Sequence, residues 1–181
     1  SEAQLARALI AAESAGITAH VLLNKCDLPQ AAAARDRLAP YRAMGVPVHD
    51  VAMKASPDAA RAVLAPLLAG RTTLVLGPSG MGKSTLINLM VPGATAQVGE
   101  ISAALNAGRH TTTTTTWYRI DDTRQSALID SPGLQEFGLR HIDPAQLATL
   151  MPDLRAQLGG CRFYNCMHRH EPGCGVLAAV E

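Results

Sequence analysis

Two hydrophobic rhythms alternate along this 181-residue chain. Leu5, Leu9 and Ala12 recur at the spacing of one helix face, and Gly16 supplies a stop, so a helix is expected to lead into the first strand. That strand is the apolar run Ala19 to Leu23, which ends in the polar loop Asn24-Lys25-Cys26-Asp27. The same kind of unit returns where Thr72 to Leu76 runs into Gly77-Pro78-Ser79-Gly80. Between the two lie a short apolar strand, Val46 to Ala52, and a helix from about Asp58 to Leu68. A further helix starts inside Gly82-Lys83-Ser84 and continues to Met90, and Ser126 to Ile129 forms a strand ending at Asp130. Helices alternating with short strands predict an α/β fold, a mainly parallel sheet flanked by helices. Ligands of such sheets bind at the carboxyl ends of the strands.

The rest of the pattern is less regular. Ala94 to Trp117 is rich in Gly, Ala and Thr without a firm period and reads as a long mobile loop. Asp143-Pro144 is a cap followed by a first-turn proline, opening a linker helix to about Leu158, and Gly159-Gly160 ends it. From Cys161 onward the Cys, His, Gly and Pro content is that of a small metal-held loop. The expected organisation is one domain over residues 1–142 and a linker helix with a small helical zinc-binding module over 143–181.

Composition narrows the class without naming a partner. Apolar residues make up 48% of the chain, the formal net charge is +1, and no apolar run reaches the roughly 20 residues of a membrane span. A soluble globular protein away from membranes is expected, and nothing in the overall charge demands a polyanion. Ser1 is followed by no charged and apolar leader, which reads as cytoplasmic, while the missing initiator Met reads as a fragment. Three of the four Cys crowd beside His residues near the end and Cys26 stands alone, favouring a metal site over disulfides.

Gly77-Pro78-Ser79-Gly80-Met81-Gly82-Lys83-Ser84 matches GxxxxGK[ST] between an expected strand and an expected helix, the context this phosphate loop requires. Its glycines let backbone N–H groups close around phosphate oxygens, Lys83 brings a point charge to the β and γ phosphates, and the Ser84 hydroxyl suits Mg²⁺. The alternative is a ligand-free glycine turn. The base is read elsewhere: in Asn24-Lys25-Cys26-Asp27, an NKxD element, the Asp27 carboxylate would accept from both the ring N–H and the exocyclic amine of guanine, an edge adenine lacks. Taken alone the tetrapeptide is equally a polar turn. Asp130-Ser131-Pro132-Gly133 then matches DxxG, with Asp130 holding Mg²⁺ through water and the Gly133 N–H facing the γ-phosphate, against an ordinary turn as the alternative. NKxD normally follows DxxG, and here it precedes the phosphate loop, so the order is circularly permuted. A site needs proximity in space rather than in sequence. A phosphate-loop ATPase would require Asn24 to Asp27 to be coincidental.

Two elements bear on turnover. Within Gly108-Arg109-His110-Thr111-Thr112-Thr113 one threonine should cap Mg²⁺; Thr112 is assigned, in a six-threonine run that leaves the register open and reads alternatively as a plain β-prone strand. After Gly133 stands Leu134, where Ras-like enzymes carry a water-orienting glutamine. Leucine cannot orient water, so His110 is the candidate for that role, with a surface histidine as the alternative, and slow intrinsic hydrolysis is expected.

Cys161, Cys166, His168 and Cys174 form C-x4-C-x-H-x5-C, the three thiolates and one imidazole of a closed structural zinc site, with His170 competing for the fourth position. Arg162, Arg169 and the histidines make this loop basic, and Phe163 and Tyr164 either offer stacking faces to RNA or pack around the loop.

With NKCD, GPSGMGKS, GRHTTT, DSPG and the cysteine cluster in this order, the chain resembles the small ribosomal subunit biogenesis GTPase family, RsgA, from Leu5 to Val180. The resemblance implies a bacterial GTP hydrolase acting late in small-subunit maturation and activated by that subunit, a cytoplasmic monomer whose partners are the small ribosomal subunit and its rRNA. It implies guanine contact by Asn24, Lys25 and Asp27, phosphate and Mg²⁺ contact by Gly82, Lys83, Ser84 and Thr85, a catalytic role for His110, and one structural Zn²⁺ on Cys161, Cys166, His168 and Cys174 rather than His170. The cofactors are then Mg²⁺ with GTP or GDP, and the zinc. The chain departs from the family at Ala52-Met53-Lys54, where Ser-Ala-Lys is usual, in lacking the N-terminal OB-fold, and in stopping at Glu181 before the helices that finish the zinc domain. A GTP-dependent RNA- or ribosome-binding module with negligible turnover is the second reading, kept alive by Leu134.

Overall fold

The computed structural model describes residues 2–94, 115–131 and 138–180. The chain divides into two compact units, one of Ser1–His20, Pro40–Pro47 and Glu136–Glu181, the other of Val21–Ala39 and Val48–Gln135.

The second unit is an α/β assembly. β1 (Val21–Leu23) pairs in parallel with β2 (Val48–Asp50), Val21 opposite Val48. β3 (Thr72–Val75) pairs in parallel with β5 (Ala127–Asp130), and β4 (Thr116–Arg119) runs antiparallel to β5 on its other side. Two of these three pairings are parallel. The third is antiparallel because a short turn suffices to return the chain. Asp121 organises that turn: its Oδ1 accepts from the Thr123 hydroxyl at 2.8 Å and from the Gln125 amide at 3.1 Å. Hydrogen bonds from the Ser126 and Thr123 hydroxyls hold the Asp121 carboxyl below the usual carboxylate range. β1 and β3 share no ladder among the described residues, so the strands form a pair and a triplet rather than one hydrogen-bonded sheet.

Behind the strands lie α3 (Pro57–Leu68) and α4 (Lys83–Met90). Ala60, Leu64 and Leu68 recur every four residues on α3 and therefore share a face. That face joins Leu86, Ile87 and Met90 of α4, Leu128 of β5, and Val51 and Met53 beyond β2 in one buried cluster. Burying each of the larger aliphatic side chains contributes about 1.5–3 kcal/mol at most. Thr73, Leu128 and Tyr118 are in register across the triplet, and Leu128 and Tyr118 belong to this core. The adjacent row, Leu74, Ile129 and Trp117, takes the opposite face, where Leu74 and Trp117 are exposed.

The segment Ala94 to Trp117 does not read as loop to its end: Thr116 and Trp117 begin β4, as the β-branched and aromatic sequence Thr-Trp-Tyr favours. Residues 95–114 lie outside the described residues. α2 (Ala31–Ala43) carries no apolar stripe in its sequence: it buries only Ala31 and forms on alanine-rich propensity.

In the first unit, α1 (Glu2–Ser14) is followed by Gly16 in a left-handed conformation. The expected continuous linker helix is broken. Asp143 caps it, accepting from the Ala145 amide at 2.9 Å, but Pro144–Leu150 is a 3-10 helix, Met151 is extended, and a short α5 (Pro152–Arg155) follows. Pro152 is the cause, since a residue before proline is driven out of the helical region. Arg155 ties α5 to α1 through a 2.7 Å ion pair with Glu13. A 3-10 turn, Leu158–Gly160, and α6 (Gly175–Val180) complete this unit.

Candidate nucleotide site and metal centre

The end of β1 is built as a rigid turn. Val51 donates its amide to the Leu23 carbonyl at 2.9 Å and Cys26 donates to the Val51 carbonyl at 3.2 Å, pinning the loop to the end of β2. The Cys26 thiol donates to the Leu23 carbonyl at 3.0 Å, which gives this lone cysteine a local structural use. Lys25 adopts the left-handed conformation at φ 63. With the turn so held, Asn24 spans two other loops: its Oδ1 accepts from the Met53 amide at 3.3 Å and its Nδ2 donates to the Met81 carbonyl at 3.1 Å. Lys25 Nζ donates to the Gly80 carbonyl at 3.2 Å. The NKCD loop and the glycine-rich loop thus meet at one place, and Asp27 stands exposed there on the same turn.

Gly77 to Ser84 links β3 to α4. Gly80 and Gly82 have φ of 78 and 108, backbone that L side chains rarely adopt. Gly82 is the N-cap of α4, and its carbonyl accepts the Leu86 amide at 2.9 Å, so the helix closes directly onto the loop. Its leading N–H groups have no intrahelical acceptor and face outward from the turn, the arrangement that receives phosphate oxygens. Lys83 folds back across the loop, with Nζ donating to the carbonyls of Gly77 at 2.7 Å and Pro78 at 3.3 Å. Pro78, Ser79 and Met81 fill the loop between the glycines, and Ser84 and Thr85 lie half-buried in the first turn.

Asp130 ends β5 in register with Val75 of β3. Its Oδ1 is buried and has no hydrogen-bond partner among the described residues. Burial raises its carboxyl pKa and the Lys83 charge partly offsets this. A buried carboxylate oxygen lacking a donor among the described residues, with the Ser84 hydroxyl in the first turn of α4, fits a hard, oxygen-seeking cation such as Mg²⁺. His110, Thr112, Gly133 and Leu134 lie outside the described residues.

The second site is in the other unit. The metal-binding atoms of Cys161, Cys166, His168 and Cys174 all lie within 4.8 Å of one another. His168 Nδ1 stands 3.5 Å from Cys161 Sγ and 3.3 Å from Cys174 Sγ, and those two sulfurs are 4.0 Å apart. Thiolates at 2.3 Å from a tetrahedral zinc would be about 3.8 Å apart, so the Cys161 to Cys174 spacing matches that ion. Glycine makes the approach possible. A Cβ on Gly175 would sit 2.5 Å from the Gln157 carbonyl oxygen and 2.9 Å from the Gly160 carbonyl carbon, so only glycine lets the backbones beside Cys174 and Cys161 come this close. Burial pushes the Cys166 thiol up to about 11. At Cys174 burial acts the same way, but the Leu177 amide and His168 outweigh it and bring the thiol to about 7.

His168, not His170, joins the cluster. The reason is Glu171, which residue type and spacing did not single out. Its carboxylate accepts from the amides of Met167 at 3.0 Å, Arg169 at 2.9 Å and His170 at 3.1 Å, folding the chain so that His168, at φ 58, turns inward. These amides, that of Arg169 foremost, hold Glu171 down at about 2. A lone acid in a basic loop was the available signal. Of the aromatics, Tyr164 is fully exposed and Phe163 lies 5.6 Å beneath the Arg162 guanidinium.

The RsgA GTPase family model matches residues 1–140. The small ribosomal subunit biogenesis GTPase RsgA of Variovorax paradoxus (strain S110) is 62% identical over 182 residues, covering 100% of this chain and 57% of the relative. Its counterpart in Burkholderia pseudomallei (strain 668) is 57% identical over 181 residues, covering 99% of this chain and 57% of the relative. The chain therefore spans 57% of the length of these curated relatives. Among solved structures, YjeQ from Thermotoga maritima superposes with a TM-score of 0.74 at 25% identity, over 99% of this chain and 59% of that one. YloQ, described as a circularly permuted GTPase, gives 0.68 at 27% identity, over 99% and 56%. The inverted order of loops converging on one place, the α/β architecture and these matches agree: the chain belongs to the RsgA GTPase family.

Proposed function

We propose that this chain is the GTP-hydrolysing part of a ribosome-activated switch in late small-subunit maturation, converting GTP to GDP and phosphate. One observation carries the reading: Asn24 and Lys25 bond directly to the carbonyls of Met81 and Gly80, so the loop read as base-binding and the loop read as phosphate-binding meet at one place. The relatives' names point the same way. Residues 1–142 are assigned to the GTPase domain and 143–181 to the linker and zinc-binding module.

In this reading Asp27 accepts from the two donors of guanine, while Asn24 and Lys25 hold that loop against the phosphate loop. Backbone N–H groups from Gly77 to Thr85 bind the phosphates, Lys83 leaves its carbonyl partners to meet them, and Gly133 contacts the γ-phosphate. Ser84, Thr112 and Asp130 would hold Mg²⁺, which supplies charge neutralisation at the phosphates when bound. His110 orients the attacking water in place of the glutamine that Leu134 replaces. Cys161, Cys166, His168 and Cys174 hold one structural Zn²⁺ and contribute no chemistry to hydrolysis. The partner is the small ribosomal subunit through its rRNA, and the exposed Tyr164 beside Arg162 and Phe163 supports such a contact. The reading takes the chain to be a cytoplasmic monomer.

Phosphate release measured with and without small ribosomal subunits tests the proposal, with stimulation expected. Leu134 favours a second reading, a GTP-dependent RNA- or ribosome-binding module with negligible turnover, which the same assay would reveal as GTP binding without stimulated release.

A further inference from the structure

Asn24 needs only the backbone amide of Met53, yet the Met53 side chain has its own placement. It is 5% exposed and belongs to the same buried cluster as Leu86 and Ile87 of α4. A Cβ built on Gly82 would stand 3.3 Å from Met53 Cε and 2.5 Å from Asn24 Nδ2. The Met53 methyl group and the Asn24 amide therefore form the floor on which Gly82 rests, at the point where the phosphate loop becomes helix and one residue before Lys83. Gly82 has no side chain with which to hold itself there. Its unusual φ of 108 is kept by what surrounds it.

We propose that Met53 is a positioning residue for phosphate binding: the length of its side chain seats Gly82 and so aims the first amides of α4 and the Lys83 side chain at the phosphates. Asn24 reaches the same loop by a hydrogen bond to Met81, so residue 53 acts on the loop twice, through its amide by way of Asn24 and through its thioether directly. Shortening the side chain leaves a void beneath Gly82 while keeping the amide and the base-reading turn. Small displacements of phosphate-binding groups cost affinity steeply. The loss should therefore fall on the phosphates rather than on guanine. This rests on the reading of Gly77 to Ser84 as a guanine-nucleotide phosphate loop.

The test is calorimetric titration of GDP and of GMP into the wild-type chain and into Met53→Ala, Met53→Val, Met53→Leu and Leu64→Ala. Met53→Ala should weaken GDP by about tenfold and GMP by less than about twofold, with Met53→Val between it and wild type and Met53→Leu close to wild type. Leu64→Ala removes a core side chain distant from the loop in sequence and should lower Tm without moving the GDP-to-GMP ratio. If Met53→Ala does not fold, Met53→Val carries the same comparison. A ratio unchanged in folded Met53→Ala and Met53→Val, or one that falls equally in Leu64→Ala, overturns the proposal. Wild-type chain binding neither nucleotide would overturn the GTPase reading and this proposal with it, whereas wild-type binding with an unmoved ratio overturns this one alone.

Discussion

Asn24 Nδ2 lies 3.1 Å from the carbonyl oxygen of Met81, joining residues 57 positions apart in the chain. Together with the Met53 amide on Oδ1, this makes Asn24 the clasp between three loops. Asn24→Ala removes both bonds, each contributing about 0.5–1.5 kcal/mol, nearer the low end at this partly exposed site. GDP affinity should fall roughly tenfold, read by fluorescent-nucleotide titration, with a small loss of Tm. Unchanged affinity would show that the clasp is dispensable.

Gly82→Ala meets two obstacles at once. The new Cβ would stand 2.5 Å from Asn24 Nδ2, and φ of 108 is strained for any L side chain. Relief requires moving the clasp or the loop, costing about 1–3 kcal/mol. Thermal unfolding should show the loss, and nucleotide titration should show that what binding remains is weakened.

Asp130→Asn separates charge from shape. The raised carboxyl pKa means that the folded, nucleotide-free protein binds this proton more tightly than the unfolded chain. The carboxylate therefore opposes folding, and stability from this group falls as pH rises from the ordinary carboxylate range through the raised folded value. Asn removes that pH dependence, so the nucleotide-free variant should be at least as stable as wild type at pH 7. Its nucleotide affinity should lose its dependence on Mg²⁺. Thermal melts across pH and titrations with and without Mg²⁺ measure the two effects.

Glu171→Gln leaves the size of the side chain and removes the charge that three amides converge on. A Gln amide nitrogen cannot accept from Arg169 and His170, so His168 loses its support. Zinc affinity should fall about 10- to 100-fold, the range for partners that orient a ligand, as measured by chelator competition. The Glu171 carboxyl is held down at about 2, so its stabilisation is complete above about 4.5 and is lost as pH falls from there toward 2. The variant should lack this component of acid unfolding in the zinc-free state.

His110→Ala should lower turnover stimulated by small subunits by about 10²- to 10⁴-fold, the range for a positioned proton-handling or water-orienting group, while leaving GDP affinity nearly unchanged. Equal losses in both, compared by single-turnover hydrolysis and GDP titration, would refute the role.

What the amino-acid order determined by itself was everything carried by contiguous spacing. The glycine-rich loop, NKCD, DSPG, the cysteine cluster, the helices α1, α3 and α4 and the strands that end in these loops are written in neighbouring residues, because backbone conformation and face-sharing periodicity act over a few positions. Tertiary structure decided what depends on distant residues meeting. It brought Asn24 to Met81, set Met53 under Gly82, left Asp130 Oδ1 buried without a donor among the described residues, and gathered Cys161, Cys166, His168 and Cys174 into one cluster. It also turned Thr116–Arg119 into a strand, since a strand exists only by pairing. The break of the linker at Pro152, by contrast, is local, because a proline drives the residue before it out of the helical region. Local chemistry could be read along the chain; the distances that make it a site are sums over packing, which no short window contains.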